Sequence, residues 1–540
     1  MPSSSDPTSS LAPASTWAET VSKRQRWIIL FGIGLVTAIE IANRNSLNIL
    51  LPDMEGNVAA DADQISWVLN LYNMGFLCSM ALNSAMTRWL GARKHLLLST
   101  LLYALGAIGC FLSSHSLNLL LFSRALMGFG GGAYLIRYAV LVFVLFQGKD
   151  RMVPLTYATL LRYVIKVCYP PVLGVLADNF HWNYAFLLDF PFLAMGAFLI
   201  WKFLPPGHLI PVSKEKVDIK GAVLLIMAMI AIVTFLSRGE RDLWFESPFI
   251  VTCLLVAVAC LTWFFLWESH PANDNPVLHL RQIWRTQSLR ATFGATMILG
   301  TGLGGCLFVL PLYLRNVQDY SALQTGGFFS CYLFGQGCGS MACLWFLMKK
   351  LGGLWTTCLG FVLLGAGFVT CIYAWTPDTP GWLLASVIFV QGIGIAAAMT
   401  GISNLAIGHA DLMHVGEAET AYYFVRQAGS VLGVTGVAVL LDRRMTLHSH
   451  RLLDVANRFS PTVQMYLRDF ASTVARKGGG AKSPTLGALE LFRNGVITQT
   501  RLLSFIDISF CLAVVCVFGV VLALLAGGKI KRIFMHLPMA

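Results

Sequence analysis

The sequence predicts an all-α integral membrane protein whose chain crosses the bilayer many times. Hydrophobic residues make up 56% of its 540 residues and charged residues only 12%, whereas a soluble protein has roughly 25% charged residues. The apolar residues are gathered in runs of about 20 or more, the length with which a helix crosses the hydrocarbon core. The sequence lacks the short alternating segments that are typical of a membrane β-barrel. We therefore expect helices throughout.

Fourteen apolar segments follow one another along the chain and are numbered 1 to 14 here. They span 27–51, 65–89, 95–114, 117–146, 153–177, 183–205, 218–239, 248–267, 289–317, 324–348, 353–375, 381–408, 419–442 and 504–528. Six segments fall in an N-terminal half (27–205), two in a central part with linkers (206–288), and six in a C-terminal half (289–528). Residues 1–26 and 529–540 form terminal tails, and the first tail is expected to be disordered because it is rich in Ser, Pro and Ala.

Lysine and arginine residues predict the orientation of these helices. They cluster before segment 1, after segments 2, 4, 6 and 10, and after segment 14. Cytoplasmic loops carry such an excess of basic residues. Both termini are therefore predicted to be cytoplasmic, in a plasma membrane that would be the inner membrane of a bacterium.

One basic loop departs from this pattern. Residues 442–503 contain ten Lys and Arg residues, yet the count of segments places this loop outside. Loops of about 60 residues can cross a membrane regardless of their charge. We expect an external loop that is helical near 460–474, and a periplasmic adaptor protein is a candidate partner for it.

Several functional classes are excluded by what the sequence lacks. It has no nucleotide-binding loop, no H-E-x-x-H and no Ser-His-Asp arrangement on a plausible scaffold, which argues against an enzyme or an ATP-driven pump. All 13 cysteines lie in apolar segments and none forms a C-x-x-C pair, so they are interpreted as packing residues. The basic residues behind the net charge of +12 cluster beside the apolar runs. We attribute them to the orientation of the helices in the membrane, not to nucleic-acid binding. No cofactor or metal is expected.

A weak internal repeat relates the two halves. TRWLGARKHL at 87–96 has a reduced echo in KKLGGLWTTC at 349–358, and LMGFGGGAYL at 126–135 is echoed by VQGIGIAAAM at 390–399. Both echoes have a spacing near 262 residues. Secondary transporters are built from such repeats, with a binding site between them whose access alternates.

A series of short motifs runs through nearly the whole chain, from 27 to 528. They are Asn48 with Leu51-Pro52, Trp67 and Tyr72, Arg88 and Gly91, Arg124 with Gly128 and Gly130, Trp182 with Phe186 and Pro191, PLYLRNVQDYSALQTG at 311–326, and Arg426-Gln427 with Gly429 and Gly433. In order and spacing these motifs resemble the major facilitator superfamily, specifically its fourteen-helix branch of proton-linked drug exporters. The resemblance implies a major facilitator fold with two six-helix halves, two extra central helices and alternating access.

The resemblance also assigns residues to conformational change. Arg88 and Gly91 belong to the loop motif after segment 2, and Gly128 to the motif of segment 4. The helix-bending element of segment 5 survives only as YPPVLG, with Pro170, Pro171 and Gly174. Its partial loss raises an importer or a facilitator of an anionic metabolite as an alternative, although the two prolines can still free backbone carbonyls.

Two further positions depart from the resembled pattern. Antiporters of this kind usually carry an acid in helix 1 where this chain has Asn43, although Glu40 lies one turn earlier. Segment 6 begins with Asp189 where an asparagine is usual, and we interpret this acid as a helix cap. Asn43 is counted among the substrate-binding candidates.

Six charges are predicted to share one water-filled column. Arg44 and Arg124 lie about seven residues, or about 10 Å, from the external ends of their helices, and Glu40 and Lys166 about eleven residues. Arg162 and Arg137 lie deeper. Each would cost roughly 2.5 to 3.5 kcal/mol if exposed to lipid, so all are expected to face the interior. The structural alternative is mutual neutralisation, in which Glu40 pairs with Arg44 at i, i+4 or with Lys166.

The excess of cations favours a negatively charged substrate. Arg44, Arg137, Arg162 and Lys166 exceed what one buried acid can neutralise, and arginine is well suited to hold carboxylate or phosphate. We predict a proton-coupled exporter of an amphipathic organic anion, in which Glu40 and Arg124 couple the proton. A broad multidrug/proton antiporter for cationic or neutral compounds remains the main alternative.

Overall fold

A computed structural model describes residues 21–58, 62–146, 152–206, 218–270, 273, 287–408, 415–455, 461–476 and 484–527. The described α-helices are α1 Lys23–Ser46, α2 Leu51–Val58, α3 Ala62–Leu112, α4 Leu117–Gly131, α5 Tyr134–Leu145, α6 Met152–Asn179, α7 Phe190–Phe203, α8 Ile219–Arg238, α9 Pro248–Glu268, α10 Gln287–Asn316, α11 Ala322–Ala342, α12 Met348–Ala374, α13 Gly381–Gly408, α14 Val415–Val455, α15 Pro461–Arg476 and α16 Pro484–Gly527. Three short 3₁₀ helices, Leu47–Leu50, Trp182–Asp189 and Trp244–Glu246, and a π-helical turn, Cys343–Leu347, complete the set.

The helices correspond to the fourteen predicted segments. Twelve helices in the described part of the chain are long and apolar enough to cross a membrane. Two long helical stretches are each broken by a glycine with non-helical angles, Gly91 in α3 (φ 76°, ψ 157°) and Gly352 in α12 (φ 73°, ψ 174°). Divided at these two glycines, the described helices can be matched one by one to the fourteen predicted segments, with segment 2 in the part of α3 before Gly91. The all-α membrane fold is thereby confirmed.

The two glycine breaks support the internal repeat. Their φ and ψ values fall in a region that is essentially restricted to glycine. Gly91 and Gly352 lie in the two loops whose sequences echo each other, one in each half of the chain. The same backbone conformation therefore recurs in both echoing loops, with Gly352 one residue before the position that a spacing of 262 pairs with Gly91.

Small residues allow the helices within each half to pack closely. A Cβ at Gly128 of α4 would collide with the carbonyl oxygen of Tyr72 in α3, and a Cβ at Gly429 of α14 would collide with that of Met297 in α10. Membrane helices associate through such contacts because lipid supplies no hydrophobic driving force between them. Gly128 is therefore a packing position between α3 and α4.

The central helices α8 and α9 pack on the periphery of the two halves. Ser237 of α8 accepts a hydrogen bond of 2.8 Å from Asn70 Nδ2 of α3. Glu240, just after α8, forms an ion pair of 2.7 Å with Arg443 of α14. Since α3 belongs to the first half and α14 to the second, this central pair contacts both.

The basic stretch 442–503 is mostly helical where it is described. α14 continues to Val455 and α16 begins at Pro484, so the helices of segments 13 and 14 are much longer than their apolar parts. The helix expected near 460–474 is present as α15. Asp507 lies within α16, and its Oδ2 is 2.8 Å from Nε2 of His448 in α14. Together these helices form an extension of the bundle.

Candidate functional site

A buried ion pair links α1 to the second half of the molecule. Glu40 is fully buried, and its Oε1 lies 3.0 Å from Nε of Arg44 and accepts a hydrogen bond of 2.7 Å from the Tyr72 hydroxyl. The i, i+4 pair expected from the sequence is thus present. Nη1 of Arg44 donates a hydrogen bond of 2.6 Å to Gln427 Oε1 of α14. One acid therefore holds an arginine that bridges the two halves.

Arg124 of α4 lies next to this pair and is fully buried. Its guanidinium group stacks 4.2 Å above the ring of Tyr72. Its Nη1 is 3.5 Å from Asn43 Oδ1, and its Nε is 3.4 Å from the carbonyl oxygen of Val68. Arg124 therefore touches two residues, Tyr72 and Asn43, that each bond to a different buried carboxyl group.

The second of these carboxyl groups belongs to Asp189, which sequence reasoning misinterpreted. Asp189 precedes α7 but its side chain makes no capping hydrogen bond there. Instead it is fully buried and accepts hydrogen bonds from Asn43 Nδ2 at 2.9 Å, the Tyr169 hydroxyl at 2.9 Å and the Tyr103 hydroxyl at 3.2 Å. Asn43 also donates to the Tyr169 hydroxyl at 3.0 Å. The position of Asp189 before an apolar helix had suggested a cap. Its actual partners are far away in sequence, so the sequence alone did not reveal them.

Four cations lie together where the halves meet, and we call them the cation group: Arg44, Arg162, Lys166 and Arg426. Arg162 is one turn from Lys166 in α6, and Arg426 directly precedes Gln427, which bonds Arg44. All three arginines are near enough to act electrostatically on Lys166. Nζ of Lys166 donates a hydrogen bond of 2.7 Å to Gln336 Oε1 of α11, in the opposite half. The alternative ion pair between Lys166 and Glu40 is absent from the described residues. Lys166 therefore has a neutral partner.

Unlike Arg44, Arg162 and Arg426 form no ion pair with an acid in the described part of the chain. Arg162 lies 4.9 Å from the ring of Tyr138 and 3.3 Å from Thr159 Oγ1. Arg426 of α14 is 8% exposed, and its buried Nε has no hydrogen-bond partner among the described residues. In the sequence Arg426 was identified only as part of a motif, so its membership of this group was missed.

Arg137 lies apart from the cation group. Its Nε donates to Asn83 Oδ1 at 2.9 Å and its Nη2 to the Asn83 carbonyl oxygen at 3.2 Å, which joins α5 to α3. It acts electrostatically on His95. The structure thus places this predicted substrate-binding residue in a contact within the first half. The single column of six charges predicted from depth is therefore divided into separate sites.

Prolines leave two backbone carbonyls without helical donors, and each carbonyl accepts a hydrogen bond from the opposite half. Neither Pro170 nor Pro171 of α6 has an N–H, so the carbonyl of Val167 loses its usual helical donors. Ser330 Oγ of α11 donates to this carbonyl at 2.6 Å. In the other half Pro311 of α10 likewise removes the donor to Leu307, whose carbonyl accepts a bond of 2.7 Å from Asn48 Nδ2.

The two halves also pack against each other at one end of the bundle, through Gly174 and Asp178. We call this the Asp178 end. A Cβ at Gly174 of α6 would lie 2.5 Å from Leu323 Cα of α11. Asp178 Oδ1 and Oδ2 accept hydrogen bonds from the amides of Ala322 and Leu323 at 3.1 and 2.9 Å, where an acid is favoured at a helix N-terminus. Pro170, Pro171 and Gly174 therefore lie directly in the contact between the halves. Arg88 lies elsewhere, in α3 three residues before Gly91.

Comparisons with known proteins agree with this architecture. The family model of the Major Facilitator Superfamily matches residues 33–237 and 220–434. The chain is 23% identical to the multidrug export protein EmrB of Escherichia coli strain K12 over 445 residues, which cover 81% of this chain and 84% of EmrB. It is 24% identical to the fatty acid resistance protein FarB of Neisseria gonorrhoeae over 482 residues, which cover 88% of this chain and 90% of FarB.

Solved structures share the fold. The crystal structure of a peptide transporter POT in complex with sulfate matches with a TM-score of 0.62 at 13% identity, covering 97% of this chain and 99% of that one. A bacterial homologue of the human lysosomal transporter Spinster, in an inward-facing and occupied conformation, matches with a TM-score of 0.56 at 13% identity, covering 95% and 98%. With its two glycine-broken halves, its interface of charged residues and a family match that reaches from residue 33 to 434, this chain belongs to the Major Facilitator Superfamily and is a membrane transporter, not an enzyme.

Proposed function

We propose that this transporter exports an amphipathic organic anion and that the cation group binds the anion's charge. The observation that carries the proposal is the set of Arg44, Arg162, Lys166 and Arg426 at the junction of the halves, with Glu40 as the acid bonded to Arg44. Like charges that face each other in a poorly solvated place repel strongly. An anionic substrate removes this repulsion and supplies acceptors to donors such as Arg426 Nε.

Aromatic rings beside the cations suit a substrate that is partly apolar. Tyr138 lies beside Arg162, Tyr163 beside Lys166 at 5.4 Å, and Tyr423 beside Arg426 at 5.2 Å. Such rings offer apolar faces to a hydrocarbon body while the cations hold the charged head. The name of FarB, a fatty acid resistance protein, fits this class of substrate, because a fatty acid is an amphipathic anion.

The proton gradient is the proposed source of energy, and Glu40 is placed to use it. A proton on Glu40 would cancel its charge and weaken its hold on Arg44, whose other nitrogen bonds Gln427 of the second half. Arg124 is stacked on Tyr72, which bonds the same carboxyl group, and it acts electrostatically on Glu40. Protonation of Glu40 would therefore alter a bond that joins the halves, which is the coupling an alternating-access exporter requires.

The proposal is tested by a thermal-shift screen of the purified protein. A compound that binds the folded state raises apparent stability by mass action. We expect fatty acids and other amphipathic anions to raise the melting temperature in a concentration-dependent way, while amphipathic cations of equal chain length leave it unchanged. Stabilisation by the cations alone would instead support the multidrug alternative, which the name of EmrB also suggests.

The proposed orientation places the Asp178 end and the extension of α14, α15 and α16 outside the cytoplasm, where an adaptor protein is a candidate partner. Cysteine introduced at Ser449 or Ser472 is expected to react with a membrane-impermeant thiol reagent added from outside. Cysteine introduced at Lys350, at the opposite end of the bundle, is the matched control and should react only from the cytoplasmic side. The parent protein measures the background of its 13 native cysteines. Labelling of Ser472→Cys from the cytoplasm alone would contradict the orientation.

A further inference from the structure

We propose that Asp189 is a second proton-binding site of this transporter, separate from Glu40. The side chain is fully buried between helices of the first half. Its hydrogen-bond donors come from three different helices: Asn43 of α1, Tyr103 of α3 and Tyr169 of α6. An acid at this depth is costly for a membrane protein and is usually functional. The inference extends the proposed proton coupling but does not depend on the substrate's identity.

The surroundings of Asp189 can accommodate either protonation state. No Lys or Arg forms an ion pair with it among the described residues; Arg124 is the cation that acts on it, and Asn43 stands between them. The hydroxyls of Tyr103 and Tyr169 can donate to a carboxylate and can equally accept from a carboxylic acid. The titratable and charged groups that act on Asp189 or are acted on by it are Tyr103 and Cys110 of α3, Arg124 of α4, Tyr134 of α5 and Tyr169 of α6, and Glu40 of α1 acts in turn on Tyr103 and Tyr134.

Tyr169 connects Asp189 to the contact between the halves. It directly precedes Pro170, whose carbonyl oxygen packs against Gly326 of α11: a Cβ at Gly326 would lie 2.5 Å from it. It also lies one turn from Lys166, which bonds Gln336 of the other half. A proton that arrives at Asp189 changes the hydrogen bond to Tyr169, and so acts on the segment of α6 that closes the interface.

The proton would travel along a short route. Lys166 and Arg162 are only partly buried at the junction of the halves, whereas Tyr169 and Asp189 are buried. An excess proton carried by water at the junction can pass to the Tyr169 hydroxyl, which hands its own proton to the Asp189 carboxylate; the carboxylate becomes a neutral acid and the water is left neutral. Release reverses the transfer. No other reactant is needed.

Infrared spectroscopy tests the inference on the unaltered protein in lipid nanodiscs. Aspartate labelled with ¹³C shifts the carbonyl band of a protonated aspartic acid but not that of a glutamic acid. We expect a shifted band at pH of about 6 and above, where exposed aspartates are fully ionised. The band should disappear in Asp189→Asn and persist in Glu40→Gln. Absence of any protonated-aspartate band between about pH 6 and the pH at which the protein unfolds would overturn the inference.

A charge swap supplies the matched variant. In Asn43→Asp with Asp189→Asn, the carboxyl group moves across a single hydrogen bond of 2.9 Å while the amide takes its place. We expect the swap to recover the protonated-aspartate band and the stimulation of transport by a pH gradient, both of which Asp189→Asn alone should lose. If Asp189→Asn keeps the full response to the gradient, Asp189 is only structural. Failure of anion binding in the wild-type protein would refute the proposed substrate class and leave the infrared result standing.

Discussion

Replacing Lys166 by methionine is expected to weaken anion binding by about 1.5 to 3 kcal/mol, the range for a hydrogen bond to a charged group, which corresponds to about 10- to 150-fold in the dissociation constant. Methionine has a similar length, so it removes the charge without opening space. Its partner Gln336 is neutral, so the substitution removes one hydrogen bond of 2.7 Å but leaves no charge unpaired. Isothermal calorimetry or the thermal-shift titration with a fatty acid measures the effect.

The same substitution should leave the protein equally stable or more stable. Lys166 is surrounded by Arg44, Arg162 and Arg426, so its removal relieves repulsion and leaves no acid unpaired. Lys202, an exposed lysine at the end of α7, is the matched control: Lys202→Met removes the same charge and should not change anion affinity. A destabilised Lys166→Met protein with unaltered anion affinity would mean that Lys166 serves the structure and not the substrate.

Composition and motif order were sufficient to predict the fold, but not the pairing of residues across helices. Asn43 and Asp189 were recognised separately as departures from the resembled pattern. The structure shows that they bond to each other at 2.9 Å, so the two departures form one arrangement. A sequence without aligned relatives contains no covariation, and residues 146 positions apart therefore could not be paired.

Depth along a helix predicted part of the site and misplaced the rest. Arg44, Arg162 and Lys166 do lie together, whereas Arg137 at a similar depth bonds Asn83 within the first half. The prediction treated residues 117–146 as one helix, but α4 ends at Gly131 and α5 begins at Tyr134. Depth alone therefore does not fix which way a side chain points.

The closure of the halves could be predicted only in part. The prolines of YPPVLG predicted carbonyls without helical donors, but not that Ser330 of the other half would bond to one of them. The partner of Asn48, the carbonyl of Leu307, likewise depends on Pro311 in a different half. Both contacts need the three-dimensional arrangement, because each joins a side chain of one half to a proline-broken helix of the other.

Removing the side chain of Ser330 or of Asn48 is expected to shift the transporter away from the state in which the halves are closed at the Asp178 end. In Ser330→Ala the carbonyl of Val167 has no donor in the closed state, at a cost of about 1 to 3 kcal/mol. When the halves separate, water can reach this carbonyl and the cost disappears. The ratio of closed to open molecules should therefore fall by about 5- to 150-fold. Asn48→Ala should act in the same direction through Leu307.

Double electron–electron resonance measures this shift directly. Spin labels at Asn179 and Asp378 lie on opposite halves of the Asp178 end, and both positions are exposed. The labels should be attached through non-cysteine residues, because the chain has 13 cysteines. Ser386 is the matched control, since its hydroxyl bonds a carbonyl four residues earlier in its own helix. Ser386→Ala should keep the wild-type distance distribution, whereas Ser330→Ala should gain a longer component. Identical distance distributions in the wild type, Ser330→Ala and Ser386→Ala would show that the hydrogen bond to the Val167 carbonyl does not contribute to closure.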